Sequence, residues 1–181
     1  MNPGEAWTLL DQSDVIFSAE EVQSSIATLA EAISRKLADK NPLVLPVMGG
    51  SIFFAGQLLP RLRFPLEFDY IHASRYGGEM TGNQVLWKVE PRDNVRGRTV
   101  LVLDDILDDG HTLANIRERI LAAGAAAFYC AVLTQKEKGV AKPIQADFVG
   151  LTVPDRYVFG CGMDCKGAWR NLPAIHAVRG S

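Results

Sequence analysis

Apolar residues recur at Val22, Ile26, Leu29, Ile33 and Leu37. Steps of three and four residues mark a helix that buries one stripe, and the spacing predicts a helix over about 19–40. Ser18 suits its N-cap, and Glu21 completes a capping box. Asn41-Pro42 stops it, because the residue before a proline is pushed out of the helical region. A second helical pattern covers 112–123, with Leu113, Ile116, Ile120 and Leu121 on one side and Gly124 as its stop. A third covers 52–62.

Between these lie short apolar runs at 43–47, 68–73, 85–89, 99–103, 127–133 and 148–153, each read as a strand. The central runs are apolar throughout rather than alternating. That is the pattern of strands covered on both faces, so the predicted class is α/β with a mostly parallel sheet flanked by helices. The first run ends at Gly49-Gly50, a tight loop. The stretch 74–84, SRYGGEMTGNQ, is too long and polar for a tight turn and is expected to be a functional loop. The last thirty residues carry Pro154, Gly160, Gly162, Gly167 and Pro173 and read as an irregular appendage to the core. Neither internal repeats nor low-complexity segments occur.

The 181 residues suffice for one domain with a substantial core. With 48% apolar and 22% charged residues and a formal charge of −2, nothing suggests bulk attraction to nucleic acid or membrane. No apolar run approaches the roughly 18 residues of a membrane span. The opening MNPGEAWTLLDQ lacks the basic and apolar regions of a signal peptide, so a cytoplasmic protein is expected. Cys130, Cys161 and Cys165 are too few and too odd for a disulfide framework. Cys161 and Cys165, with His176, lack the second pair of a zinc site, and buried reduced thiols are the expectation.

One stretch resists a purely structural reading. VLVLDDILDDGHTLANI, 100–116, places four aspartates in six positions just after an apolar strand. In open parallel sheets, ligands bind beyond the carboxyl ends of the strands, where Asp104 and Asp105 are expected. Residues 108–112 then lead into a helix N-terminus, whose amides and dipole favour an anion. Gly110 lets the backbone approach a phosphate, and Thr112 adds a hydroxyl donor. The turn thus divides into amides suited to a phosphate and carboxylates suited to hydroxyls or a hydrated Mg²⁺. A capping role alone does not account for so many acids.

VLVLDDILDDGHTL resembles the phosphoribosyl-diphosphate (PRPP) motif of type I phosphoribosyltransferases. The resemblance implies that fold, with a core at about 43–153 and a small hood from about 1–18 and 154–181, in a single domain. It implies that Asp104 and Asp105 face the ribose hydroxyls, directly or through Mg²⁺. Asp108, Asp109, Gly110, His111 and Thr112 would cradle the 5′-phosphate. Asp109 departs from the pattern, threonine being commonest there, and its side chain is expected to point to solvent.

The block VPDRYVFGCGMDCKGAWRNLP, and Lys136 ahead of DFVG at 147–150, are similar to hypoxanthine-guanine phosphoribosyltransferases. On that similarity Lys136 would donate to the purine 6-oxo oxygen. Tyr157 would stack on the base, and Val158 would read its edge through backbone groups. Asp164 would ligate a second Mg²⁺, and Arg170 would contact pyrophosphate. Met48-Gly49-Gly50 matches the pyrophosphate loop, with Met48 where a basic residue is common, so backbone amides are expected to do the binding there. Ser74 and Arg75 would hinge a loop closing over the site.

The implied reaction joins hypoxanthine or guanine to PRPP, releasing pyrophosphate, with Asp108 as the base that takes the purine N7 proton. No nucleic-acid or membrane partner is implied. A homodimer or homotetramer is, with Phe53, Phe54 and Trp87 as interface candidates, although core burial is their default. The residues leave open a transferase for another base such as xanthine, and a PRPP-sensing regulator of the same fold. A regulator that binds RNA should show a basic face, which this chain lacks. A receiver-like phosphoacceptor domain would carry its acidic pair on the first strand rather than past residue 100.

Overall fold

A computed structural model describes residues 1–75 and 85–180. Its centre is a five-stranded, wholly parallel sheet. The strands are β2 (Leu43–Pro46), β3 (Glu67–Phe68), β6 (Thr99–Leu107), β7 (Ala127–Glu137) and β8 (Phe148–Pro154), in the order β3-β2-β6-β7-β8. The helices are α1 (Pro3–Asp11), α2 (Ala19–Leu37), α3 (Ile52–Leu58) and α4 (His111–Ala122). Strands β4 (His72–Arg75) and β5 (Val85–Val89) form a separate antiparallel pair. Strands β1 (Ser13–Phe17), β9 (Val158–Phe159) and β10 (Ile175–Val178) form a third sheet that joins the two ends of the chain.

The apolar runs are continuous because both faces of the sheet are covered. Along β6, Leu101 and Leu103 meet α2 and α3, while Val100 and Val102 meet α4. Along β7, Ala131 and Leu133 divide from Cys130 and Val132 in the same way. Side chains two apart share a face of a strand, so the strictly apolar sequence supplies two cores at once. The α2 stripe predicted by spacing is buried, and both halves of its capping box form, with Glu21 N donating to Ser18 Oγ at 3.2 Å. Cys130, Cys161 and Cys165 are buried free thiols. Burial pushes Cys161 up to about 12 and Cys130 to about 11, which makes both poor nucleophiles.

Several boundaries differ from the pattern reading. The expected strand at 68–73 is two elements, because β3 pairs with β2 and the chain then leaves the sheet to pair with β5. The helix expected at 52–62 ends at Leu58. Pro60, which lacks an N–H, sits in a following 3₁₀ turn, Leu59–Arg61. Strand β6 continues past residue 103 through both aspartates, and β7 continues past 133 through Lys136. The tail expected to be irregular contributes β9 and β10, and the N-terminal segment adds α1 and β1. Phe54 is fully buried, Phe53 packs against the core, and Trp87 is half-buried with its Nε1 donating to Asn115 Oδ1 at 3.2 Å. Most of the expected loop, 76–84, lies outside the described residues. Ser74 and Arg75 belong to β4, opposite Leu86 and Val85, and their side chains also lie outside the description.

Ile33 is wholly buried between α2 and the sheet. Ile33→Ala is expected to cost about 2–5 kcal/mol of stability. Urea unfolding measures it, and a midpoint equal to wild type would mean that this face is not a packed core.

Candidate functional site

The candidate site is a cavity of about 480 Å³ at the carboxyl ends of β2 and β6. That is roomy enough for a nucleotide-sized ligand, since such pockets run from about 300 to 1,000 Å³. One wall is the loop 47–50, and a second is the end of β6 with its turn, 104–110, and the start of α4. A third is the β4–β5 pair, with His72 and Lys88, and Arg170 closes one side. Met48, Gly49, Gly50, Asp104, Asp105, Asp108, Asp109, Gly110, Thr112 and Arg170 therefore share one cavity. Lys136 lies beside it, touching Asp108.

The two acids of β6 are confined. Asp104 is buried at 9% exposure. Its Oδ1 accepts from Asp105 N at 3.0 Å, and Asp105 Oδ1 accepts from Ile106 N at 2.9 Å. Burial pushes the Asp104 carboxyl well above the ordinary range, and the neighbouring Asp105 charge pushes it further. Burial also raises Asp105, against the pull of local hydrogen bonds and the Arg170 guanidinium. Both directions mark the pair as short of cation, since desolvation and like charge both penalise a carboxylate.

Room for Asp105 comes from glycines. A Cβ on Gly50 would fall 1.9 Å from Asp105 Oδ2. A Cβ on Gly162 would fall 1.8 Å from Gly50 O, and Gly162 has φ +106. Arg170 Nη1 donates to Gly162 O at 2.6 Å and so ties the C-terminal segment to this contact. Sequence reasoning did not single out Gly162. A glycine in the C-terminal block was the available signal, but its contact partner lies over a hundred positions away.

The turn after β6 behaves partly as expected. Gly110 has φ +86, a left-handed conformation that glycine adopts freely, and it precedes α4 directly. Asp109 differs. The residue is half-buried, and its Oδ1 accepts from His111 N at 3.1 Å, satisfying an amide of the helix start. In the 47–50 loop, Met48 N donates to Ile71 O at 2.8 Å, and the Met48–Gly49 peptide is cis. The amides left for an anion in that loop are those of Gly49 and Gly50.

A cationic cluster surrounds Asp108. Lys138 Nζ lies 2.6 Å from its Oδ1, and Lys136 Nζ lies 3.3 Å from its Oδ2 and 3.9 Å from Asp155 Oδ1. Burial alone would raise the Asp108 pKa. The two lysines outweigh it, and the carboxyl sits below its usual range. Lys136 was expected from family similarity, whereas Lys138 was not. Both stand in QKEKG, which reads as solvated unless β7 is known to run that far. Tyr157 is 49% exposed and Val158 is buried, with Tyr157 O accepting from Val178 N at 2.9 Å. Asp164 has local partners: it pairs with Arg170 and accepts from Gly167 N at 2.7 Å. It does not line the cavity that holds Asp104 and Asp105.

The model of the phosphoribosyl transferase domain matches residues 13–166. The chain belongs to that family. It is 35% identical over 173 residues to the hypoxanthine-guanine-xanthine phosphoribosyltransferase of Tritrichomonas foetus, covering 94% of each chain. It is 32% identical over 170 residues to the hypoxanthine-guanine phosphoribosyltransferase of Streptococcus pneumoniae, covering 93% of this chain and 94% of that one. A crystal structure of a hypoxanthine-guanine phosphoribosyltransferase from Bacillus anthracis superposes with TM-score 0.82 at 30% identity, covering 91% of this chain and 97% of that one. The acidic stretch, the glycine turn and β7 all lie within the matched region.

Two predictions follow from the geometry. Gly162→Ala forces Cβ into Gly50 O from a left-handed backbone, and a stability loss of about 1–3 kcal/mol is expected in urea unfolding; wild-type stability would mean that the two loops part freely. Asp104 holds its proton to higher pH folded than unfolded, so the folded chain binds more protons in that interval. Stability therefore falls as pH rises from about 3.9 through the raised value. In chelator-treated buffer, Asp104→Asn is expected to raise the urea midpoint at pH 7 and to leave it unchanged near pH 3. An equal effect at both pH values would contradict the sign.

Proposed function

We propose that the protein transfers the 5-phosphoribosyl group of PRPP to N9 of hypoxanthine or guanine, releasing pyrophosphate. The observation that carries the proposal is the acid pair at the end of the central parallel strand, followed at once by a glycine turn into a helix start. Hydroxyls and cation on one side and phosphate on the other match the two halves of a ribose phosphate. The relatives named for the same activity support the reading.

In this assignment the turn 108–112 holds the 5′-phosphate, and Asp104 and Asp105 hold the ribose hydroxyls. Gly49, Gly50 and Arg170 receive the pyrophosphate. The residues fit Mg²⁺, because a buried and a half-buried carboxylate with raised pKa values are stabilised by a divalent charge. Mg²⁺, when bound there, supplies positive charge to the diphosphate that leaves. Asp164 holds Arg170 and accepts from Gly167 N, and its remaining lone pairs leave it able to ligate a second Mg²⁺ on the pyrophosphate side.

On the base side, Lys136 donates to the 6-oxo oxygen, Tyr157 stacks, and Val158 offers its backbone. The C1′–O bond to the diphosphate breaks, the N9–C1′ bond forms, and the N7 proton passes to Asp108. A depressed pKa keeps Asp108 in its carboxylate form through the neutral range, which is the form able to accept that proton. Among the described residues no helix is long and apolar enough to cross a membrane. A cytoplasmic place and a homodimer or homotetramer are part of the same proposal.

The test is a base panel of hypoxanthine, guanine, xanthine and adenine with PRPP and Mg²⁺, followed by pyrophosphate release. Turnover of the 6-oxopurines without adenine is expected, and turnover of adenine alone would reject the reading. Asp108→Asn is expected to lower kcat by about 10²–10⁴-fold, the range for a lost general base. Its PRPP affinity, read by calorimetry, should change far less; unchanged single-turnover chemistry would remove Asp108 from the role.

A further inference from the structure

Strands β6 and β7 run parallel, and their last paired residues are Ile106↔Thr134 and Leu107↔Gln135. One step further along each strand stand Asp108 and Lys136, the two residues assigned to the purine. No paired step holds them together. A side chain from elsewhere does. Lys142 Nζ donates to Leu107 O at 2.9 Å and to Lys136 O at 2.6 Å. One ammonium thus bridges the two strands just where their ladder stops.

The segment that carries Lys142 also braces the glycine turn. A Cβ on Gly110 would lie 3.4 Å from Pro143 Cδ and 3.2 Å from Ile144 Cγ2, so both residues sit against the back of the turn. Ile144 is buried in the core beside Leu107 and Leu113. Lys142 is half-buried, and its ammonium is directed inward at two carbonyls rather than outward at a carboxylate. A lysine loses side-chain freedom in such a pose, and the two bonds are what offset that loss. The bonds are charge-assisted, the stronger class.

We propose that Lys142 is a positioning residue for base transfer: its ammonium sets the distance between the Asp108 turn and the Lys136 backbone. The carbonyl of Leu107 immediately precedes Asp108, so a shift there moves the carboxylate. The carbonyl of Lys136 belongs to the residue that reads the 6-oxo group. Without the bridge only the Lys136–Asp108 and Lys138–Asp108 side-chain pairs link the two ends. Once the purine takes the place of those pairs, nothing sets the spacing of the two backbones, and the purine loses simultaneous contact with both side chains. Misplacement by about 1 Å costs on the order of 10²-fold in rate. Pro143 and Ile144 stay against the Gly110 turn without the ammonium, and the 47–50 loop does not touch Lys142, so PRPP binding is expected to fall far less than base transfer.

This inference rests on the roles proposed for Asp108 and Lys136. The experiment compares Lys142→Met, Lys142→Arg and Lys136→Gln with wild type. It reads kcat, KM for hypoxanthine, PRPP affinity by calorimetry, and melting temperature. Lys142→Met is expected to lower kcat/KM for hypoxanthine about 10- to 10²-fold. PRPP affinity and melting temperature should stay near wild type, and Lys142→Arg should restore most of the loss. Wild-type kcat/KM in Lys142→Met overturns the proposal, as does a loss fully explained by a fallen melting temperature or one that falls equally on PRPP affinity. Lys136→Gln separates the two levels. If it loses activity while Lys142→Met does not, the base assignment stands and the positioning role fails; if neither loses activity, the base assignment itself fails.

Discussion

Asp104 and Asp105 stand next to each other on a strand inside the sheet, one of them buried, and among the described residues the cationic side chains that line their cavity are Lys88 and Arg170. Keeping two carboxylates there is unfavourable for the empty fold, since desolvation and mutual repulsion both act against ionisation. Much of the surrounding structure serves that placement. Strands β2 and β7 flank β6 and exclude water laterally. Thr134 Oγ1 donates to Asp105 O at 2.9 Å and holds the main chain of the pair from β7. Gly50 leaves the volume that the Asp105 carboxylate needs, and Gly162 leaves room for the Gly50 carbonyl. Such a site is stabilised by what it binds, and a fold that carries it gives up some stability of its own for function.

The same sheet organises the second half of the cavity. Because β6 and β7 are parallel and in register up to Leu107↔Gln135, the residues that follow emerge side by side at one end. Asp108 and Lys136 therefore meet at 3.3 Å although they are far apart in sequence. Lys138, two positions further and so on the same side of an extended chain, closes on the other oxygen of Asp108. In the proposed reading, these contacts exchange for contacts to the purine when it binds, and the lysines keep Asp108 ionised until then.

Legibility in the sequence varied with the strength of the local signal. The α2 stripe and its capping box were readable, because helix periodicity and end chemistry are both local. The continuous apolar runs of β2, β6 and β7 announced a sheet covered on both sides. Helix α1 buries none of its residues and so leaves no stripe to detect; its Asn2–Glu5 capping box with Pro3 was the one local signal for it. Strands β9 and β10 were hidden by their glycines and brevity, and β1 by a partner at the opposite end of the chain. The run at 68–73 looked like one strand because its apolar pattern does not show that the chain changes sheets midway.

What the sequence determined alone was the class of fold and the local character of the turn: apolar runs demanded two covered faces, and acids followed by x-Gly-x-Thr placed carboxylates and a glycine turn directly before a helix start. Those are properties of residues within a few positions of one another. Only the tertiary structure decided that Asp109 accepts from His111 N, that the Met48 amide bonds Ile71, and that Asp164 pairs with Arg170. It alone decided that Lys142, unremarkable in AKPIQ, lies across two strand ends. Such facts depend on which distant backbone a side chain meets, and that is set by sheet order and loop path rather than by any neighbour along the chain.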